Sequence, residues 1–286
     1  MTHSSRWAIF AAALAGISAV AQDVAVDRER RLWNAEFRDA RPAAATPPFG
    51  AVVKGGPAKA GQDRGLLLGL TTWRMREPRP GDRARMLVHE SNTGPVVELT
   101  PERMAAGAQL TDRDRVRISV EPGRAGYLYI ASREVYADGS RGDTYLLFPS
   151  RRIRSGSAKV NPGELVEVPE ASNSVPYFTL KRSRPDQKGE ELLLLLSQEE
   201  IPNLIVQTGQ VKLNPAMLKE WVEKFGTDVK MLDAPDQAGV ALSPAEQHAG
   251  AESVKLRRDD PLPQMLFHMP MPGRTAMLAA YTLSLK

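Results

Sequence analysis

Three histidines outside the N-terminal leader have side chains suited to acid–base or metal chemistry: His89, His248 and His268. Zinc work would need an H-x-x-x-H or H-E-x-x-H spacing, so that two imidazoles reach one ion. These three lie far apart, and no metal site is expected. His89-Glu90 reads as a surface pair at a strand end. His268, between Phe267 and Met269, reads as a packed or exposed residue at a strand start. Serine catalysis lacks its usual elbow, because no G-x-S-x-G occurs. Ser155-Gly-Ser157 sits in a basic loop with no histidine nearby in sequence. A triad assembled from distant segments stays open, since chain order is free. Carboxylates come as neighbours: Glu190-Glu191, Glu199-Glu200 and Asp259-Asp260. Neighbours in a strand face opposite ways, which suits solvated turns better than a shared acid–base site. Asp138-Gly-Ser-Arg-Gly-Asp143 lacks the alternating carboxylates of a calcium loop and reads as a polar hairpin loop. Neither G-x-x-x-x-G-K nor G-x-G-x-x-G is present, so no phosphate cradle is expected. The absence of cysteine removes thiolate catalysis, disulfides and cysteine-ligated metals. The expectation is a chain with no catalytic residues, no cofactor and no metal.

The side chains best placed to bind something are basic. Arg151-Arg-Ile-Arg154 with Lys159, and Lys181-Arg-Ser-Arg184, form two cationic loops, and Tyr177 lies beside the second. If both loops sit at one end of the fold, Arg151, Arg152, Arg154, Lys159, Lys181, Arg182 and Arg184 would make one patch. Tyr177 would add stacking to it. Such a mixture suits an anionic polymer or an acidic envelope protein. No nucleic acid is expected as its partner in the cell. The formal charge of the whole chain is +4, a mild bias that steers weakly.

Short strands must carry these loops. Val116, Ile118 and Val120 alternate with charged or small residues. Tyr127-Leu-Tyr-Ile130, Tyr145-Leu-Leu-Phe-Pro149, Glu164 to Val168 and Tyr177 to Lys181 follow, separated by Gly, Pro, Asn and Asp. Period-two runs bounded by such breakers predict antiparallel strands. Leu192 to Leu196 is apolar without alternation, as a strand covered on both faces would be. Leu66 to Met75, Arg85 to His89 and a closing run at 275–285 add strands. Thr100-Pro101-Glu102 resembles a helix start and predicts a single turn. Asn214 to Gly226 predicts a helix. Asn214 caps it, Pro215 opens it, Gly226 stops it, and Met217, Leu218, Trp221, Val222 and Phe225 form one stripe. Ser243-Pro-Ala-Glu246 has capping-box spacing for a second.

Residues 1–21 read as a cleaved signal peptide: Arg6, an apolar run from Trp7 to Val20, then the small-x-small site Ala19-Val20-Ala21. No other stretch reaches spanning length, so no transmembrane segment is expected after cleavage. Residues 22–65 are expected to be a disordered linker rich in Pro, Ala and Gly, with a possible short helix where Leu32, Trp33 and Phe37 share a face. Residues 66–286 are expected to form a single β-sandwich domain.

Asp114 to Val120, Gly126-Tyr-Leu-Tyr-Ile130, Asp138-Gly139, Leu147-Phe-Pro149 and Gly163 before a strand together resemble the "domain of unknown function 4384" family. The resemblance covers roughly residues 110–200. Lys188-Gly189-Glu190 departs from that family's Pro-Gly-Thr-Glu turn. The resemblance implies a β-sandwich-like domain standing alone behind a signal peptide in a bacterial member, and it implies no catalytic residues. The combined expectation is a mainly β chain, an antiparallel Ig-like sandwich with one or two short helices. Its expected role is a non-catalytic binding module of the cell envelope or extracellular space. A hydrolase with a dispersed site and a purely structural envelope protein are the alternatives.

Overall fold

Alternation along one strand shows how the fold is layered. In the strand Arg115–Pro122, Val116, Ile118 and Val120 point into the main core, while Arg117, Ser119 and Glu121 point the other way and are also buried. A strand buried on both faces needs a second layer outside its sheet. The computed structural model describes residues 26–43, 65–82, 84–90, 93–170, 173–226, 228–252, 254–269 and 273–286. The expected signal peptide and residues 22–25 and 44–64 of the expected linker lie outside them.

Among the described residues there are 15 strands in two sheets and three α-helices. The first sheet has eight strands. It is centred on β1 (Leu66–Arg76), which pairs on one side with β5 (Arg115–Pro122). On its other side it pairs with β14 (Met265–Met269) and β3 (Val96–Arg103). β2 (Met86–His89) extends β3, and β13 (Lys230–Asp233) lies beyond β14. The far edge of β5 carries β9 (Val166–Val168) and β10 (Phe178–Thr179).

The second sheet has seven strands. β6 (Gly126–Tyr136), β11 (Gln187–Ser197) and β15 (Ala276–Leu285) form its centre. β7 (Tyr145–Phe148) and β8 (Lys159–Val160) flank β6, β12 (Val211–Lys212) lies beyond β7, and β4 (Gln109–Leu110) pairs parallel to β15. The predicted mainly β sandwich is therefore present, and its core lies between the sheets. Leu68 and Leu70 from β1, Leu128 and Ile130 from β6, and Leu192 and Leu194 from β11 are all buried there.

Each outer face has its own helical cover. Residues 26–40 form α1, whose Trp33 and Phe37 pack on Leu67 and Leu266 of the first sheet. This corrects the expected linker: in its described part, 26–43, the chain is an ordered cover, and even Arg41 is buried. The short helix was legible, but Leu32 faces solvent and only Trp33 and Phe37 of the expected stripe are buried. α2 (Pro215–Phe225) lays Leu218 and Trp221 on Tyr129, Leu193 and Leu195 of the second sheet. Asn214 Oδ1 accepts from the Ala216 amide, as the N-cap pattern predicts. α3 (Pro244–Glu252) starts with the expected capping box, Ser243 and Glu246 bonding reciprocally.

Thr100-Pro101-Glu102 is not a helical turn, because it lies inside β3. The Pro101 carbonyl accepts from Leu242 on the side away from β1, and a residue's N and C=O share a side in a strand. The missing N–H of Pro101 therefore costs β3 no bond to β1.

Candidate functional site

Four short strands leave one side of the sandwich open. β9 and β10 edge the first sheet there, and β7 and β12 edge the second. None exceeds four residues. Two adjoining cavities, about 570 and 220 Å³, form a groove on this side and share Leu147, Phe178 and Gln210 as lining. The wider part has a polar rim of Ser150, Arg152, Asn173, Ser174 and Thr208. The narrower part reaches between the sheets, walled by Val116, Ile118, Leu180, Leu192 and Leu283.

Ser132, Lys181 and Glu190 bring polar chemistry to the narrow part. On β6, Leu128 and Ile130 belong to the core, and the same face continues through Ser132, Glu134 and Tyr136. Glu190 precedes Leu192 on the inner face of β11 and pairs directly with Glu134. Gln187 Nε2 donates to Glu190 Oε1 at 3.0 Å, and the Tyr136 hydroxyl donates to Glu134 Oε2. Burial pushes the Glu190 carboxyl up to about 7, and the facing Glu134 adds to the rise. Glu191 points to the other face, where Arg133 Nε donates to it at 2.5 Å. The opposite orientation expected for Glu190-Glu191 thus holds, but the expected solvated turn does not: both lie inside β11, and Glu191 is buried. What sequence reading missed is the pairing across strands, Glu134 with Glu190. The period-two change on β6 from Leu128 and Ile130 to Ser132 and Glu134 is the signal that points to it.

The two cationic loops do not share an end. Lys159 pairs with Tyr127 at the start of β6. Arg184 stacks over Tyr136, at the finish of β6, with its guanidinium 4.0 Å from the ring centroid. Nine residues of strand at about 3.3 Å each separate Tyr127 from Tyr136, roughly 30 Å. The single patch that a shared end would have made is therefore divided by the length of β6. Arg154 is paired with Glu164 at 2.8 Å and Arg184 with Asp186 at 2.8 Å. Tyr177 is buried, donating its hydroxyl to the His89 and Glu90 carbonyls, and cannot stack on a polymer. Arg151 is exposed beside the groove, with its amide bonded to the Gln207 carbonyl. The Arg182 amide donates to Asp112. Of the basic residues, Arg152 and Lys181 line the groove, one in each part.

Other polar clusters are structural. Under α1 and α3, Arg41 makes a two-pronged pair with Glu121 at 2.7 Å, Arg103 pairs with Glu246, and Arg117 pairs with Glu167. All six side chains are buried. Burial raises the Glu121 and Glu167 carboxyls against the pull of Arg41 and Arg117. A cleft of about 740 Å³ beside α2 contains Arg133, Arg141 and Arg184. Glu191 holds the first two and Asp186 the third, so an incoming anion would have to displace a carboxylate. His89 Nδ1 lies 3.2 Å from the Gly94 carbonyl oxygen, and His268, buried near the end of β14 and not at a strand start, sits edge-on to Trp33 at 4.8 Å. Asp138 Oδ1 accepts from the Ser140 amide, closing the predicted turn, while Asp143 pairs with Lys212 at 2.7 Å. No family model, curated protein or solved structure matches this chain.

Proposed function

We propose that the protein is a non-catalytic binding module, exported to the envelope or extracellular space, that holds an extended polypeptide segment in the inter-sheet groove. The observation that carries this reading is the groove itself: a hydroxyl- and amide-rich rim beside an apolar slot, between short strand edges. An extended chain presents alternating side chains, so one can enter the slot while its backbone meets the rim. Arg152 and Lys181 give the groove a cationic residue in each part, which favours acidic residues in the flanks of the bound segment. The leader-like residues 1–21 support export, and the resemblance over residues 110–200 supports a stand-alone module.

Gly209 supplies the test. It lines the wide part, and a Cβ built there meets nothing within 4 Å, so a large side chain can be placed on this wall of the groove without a clash with the fold. Random twelve-residue peptides displayed on phage and selected on the purified protein should bind it and lose about tenfold or more on Gly209→Trp, about 1.4 kcal/mol. Peptides that bind the variant equally, or a selection that enriches nothing, would overturn the reading.

A second reading is a hydrolase. The Glu134–Glu190 pair favours it, because one carboxyl is raised beside another, as acid–base catalysis uses. It predicts that Glu190→Gln abolishes a measurable hydrolytic activity.

A further inference from the structure

The narrow part of the groove has an unusual composition for its size. At about 220 Å³ it is smaller than the roughly 300–1,000 Å³ of a drug-sized site, so its occupant is a fragment or one side chain. Its walls are aliphatic, with Val116 and Ile118 from one sheet and Leu192 and Leu283 from the other. Glu190 and Ser132 add a carboxyl and a hydroxyl to this apolar space, on adjacent strands.

We infer that this cavity binds a primary alkylammonium group, the alkyl stem lying between the two sheets and the ammonium meeting Glu190 and Ser132. The inference rests on the groove being a binding site, and it names the chemistry that the groove selects.

Three physical points argue for a cation with an apolar stem. A carboxylate in a water-poor slot attracts a cation far more strongly than one in bulk water. Glu134 stands directly opposite Glu190, and like charges facing across strands repel, so an ammonium relieves that repulsion while a carboxylate ligand would add to it. The amine keeps three donors, enough for Glu190 and the Ser132 hydroxyl together. The charged and titratable groups facing Glu190 are Glu134 from β6, with Tyr136 bonded to it, and Lys181 after β10. The β5, β7 and β15 linings are Val116, Ile118, Leu147 and Leu283, which carry no charge. Lys181 is exposed at the mouth, where solvent screens it. Burial and the facing Glu134 hold the carboxyl of Glu190 up to about 7, so binding strengthens as pH rises from 6 to 8 and the proton leaves.

The same ammonium can come from a free amine or from a lysine of a bound segment, and the experiment separates the two. n-Butylammonium, butyrate and n-butanol are titrated into the full chain at pH 8 and followed by amide NMR. The expected result is saturable shifts around Val116, Leu192 and Leu283 with n-butylammonium, at least tenfold weaker in Glu190→Gln and absent with butyrate. Leu147→Phe, which narrows the slot, should weaken binding in the same way and serves if Glu190→Gln does not fold. Groove-binding peptides carrying lysine or norleucine at the anchor then identify the source. A lysine preference assigns the slot to a side chain, and equal binding of the two, with n-butylammonium still bound, assigns it to a free amine. No n-butylammonium binding, binding unaffected by the variants, or a preference for butyrate overturns the inference. Loss of peptide binding in Gly209→Trp, read separately, reports on the groove itself.

Discussion

Glu190 is the titratable residue of the groove whose environment shifts it. Its carboxyl is raised to about 7 in the folded state, from an ordinary value near 4.5. The folded protein therefore holds a proton that the unfolded chain releases between those values. Stability from this group is fully present below pH 4.5 and is lost as pH rises through about 7. Solvent reaches the mouth of the cavity, and after discounting for that the loss is about 1–2 kcal/mol. Urea unfolding of Glu190→Gln should match the wild type near pH 4 and exceed it at pH 8; a constant difference would contradict this account. Gly250 belongs to the same scale. A Cβ there would lie 2.2 Å from a Glu167 carboxylate oxygen, so α3 touches the buried Arg117–Glu167 pair through a hydrogen atom. Gly250→Ala should destabilise by about 1–3 kcal/mol, despite the better helix propensity of alanine, by a urea or thermal melt.

At the scale of elements, the two sheets depend on helices for their outer faces. Phe37 is fully buried and Trp221 nearly so, one under each cover. Phe37→Ala or Trp221→Ala should cost about 3–5 kcal/mol by urea titration. Val222→Ala, on the exposed flank of α2, should stay within about 0.5 kcal/mol. The link between α1 and the first sheet is also ionic. Arg41→Met alone leaves the Glu121 carboxyl buried without its cation and should cost about 3–5 kcal/mol, whereas Arg41→Met with Glu121→Leu should recover only part of that loss, because the Arg257, Asp260 and Pro261 carbonyls that Arg41 also bonds still lose their donor. The part recovered measures the cost of the orphaned carboxylate.

For the whole molecule, among the described residues, helices close the two faces and the side between β9–β10 and β7–β12 remains open. Charge is distributed around that opening and not gathered at one end. Arg152→Ser should therefore weaken a groove-bound acidic-flanked peptide several-fold, while Lys159→Ser, near the start of β6, should leave it unchanged. Equal effects from the two substitutions would favour a diffuse electrostatic surface over a defined groove.

Local pattern was enough for the strands that alternate or run apolar, for the capped helix at 214–226, and for the turn at Asp138-Gly139, because each is specified by neighbours in sequence. The same local logic misjudged Thr100-Pro101-Glu102, where pairing with β1 overrides a helix-start signal. It took residues 26–43 for a tether, because two aromatic anchors and one arginine look insufficient until the sheet face they fill is known. It leaves open whether Arg151–Arg154 and Lys181–Arg184 share one patch, because sequence does not say which end of an eleven-residue strand a loop returns to. The groove and the Glu134–Glu190 pair depend on register between distant strands. Tertiary structure alone decides that register, since it follows from how two whole faces pack.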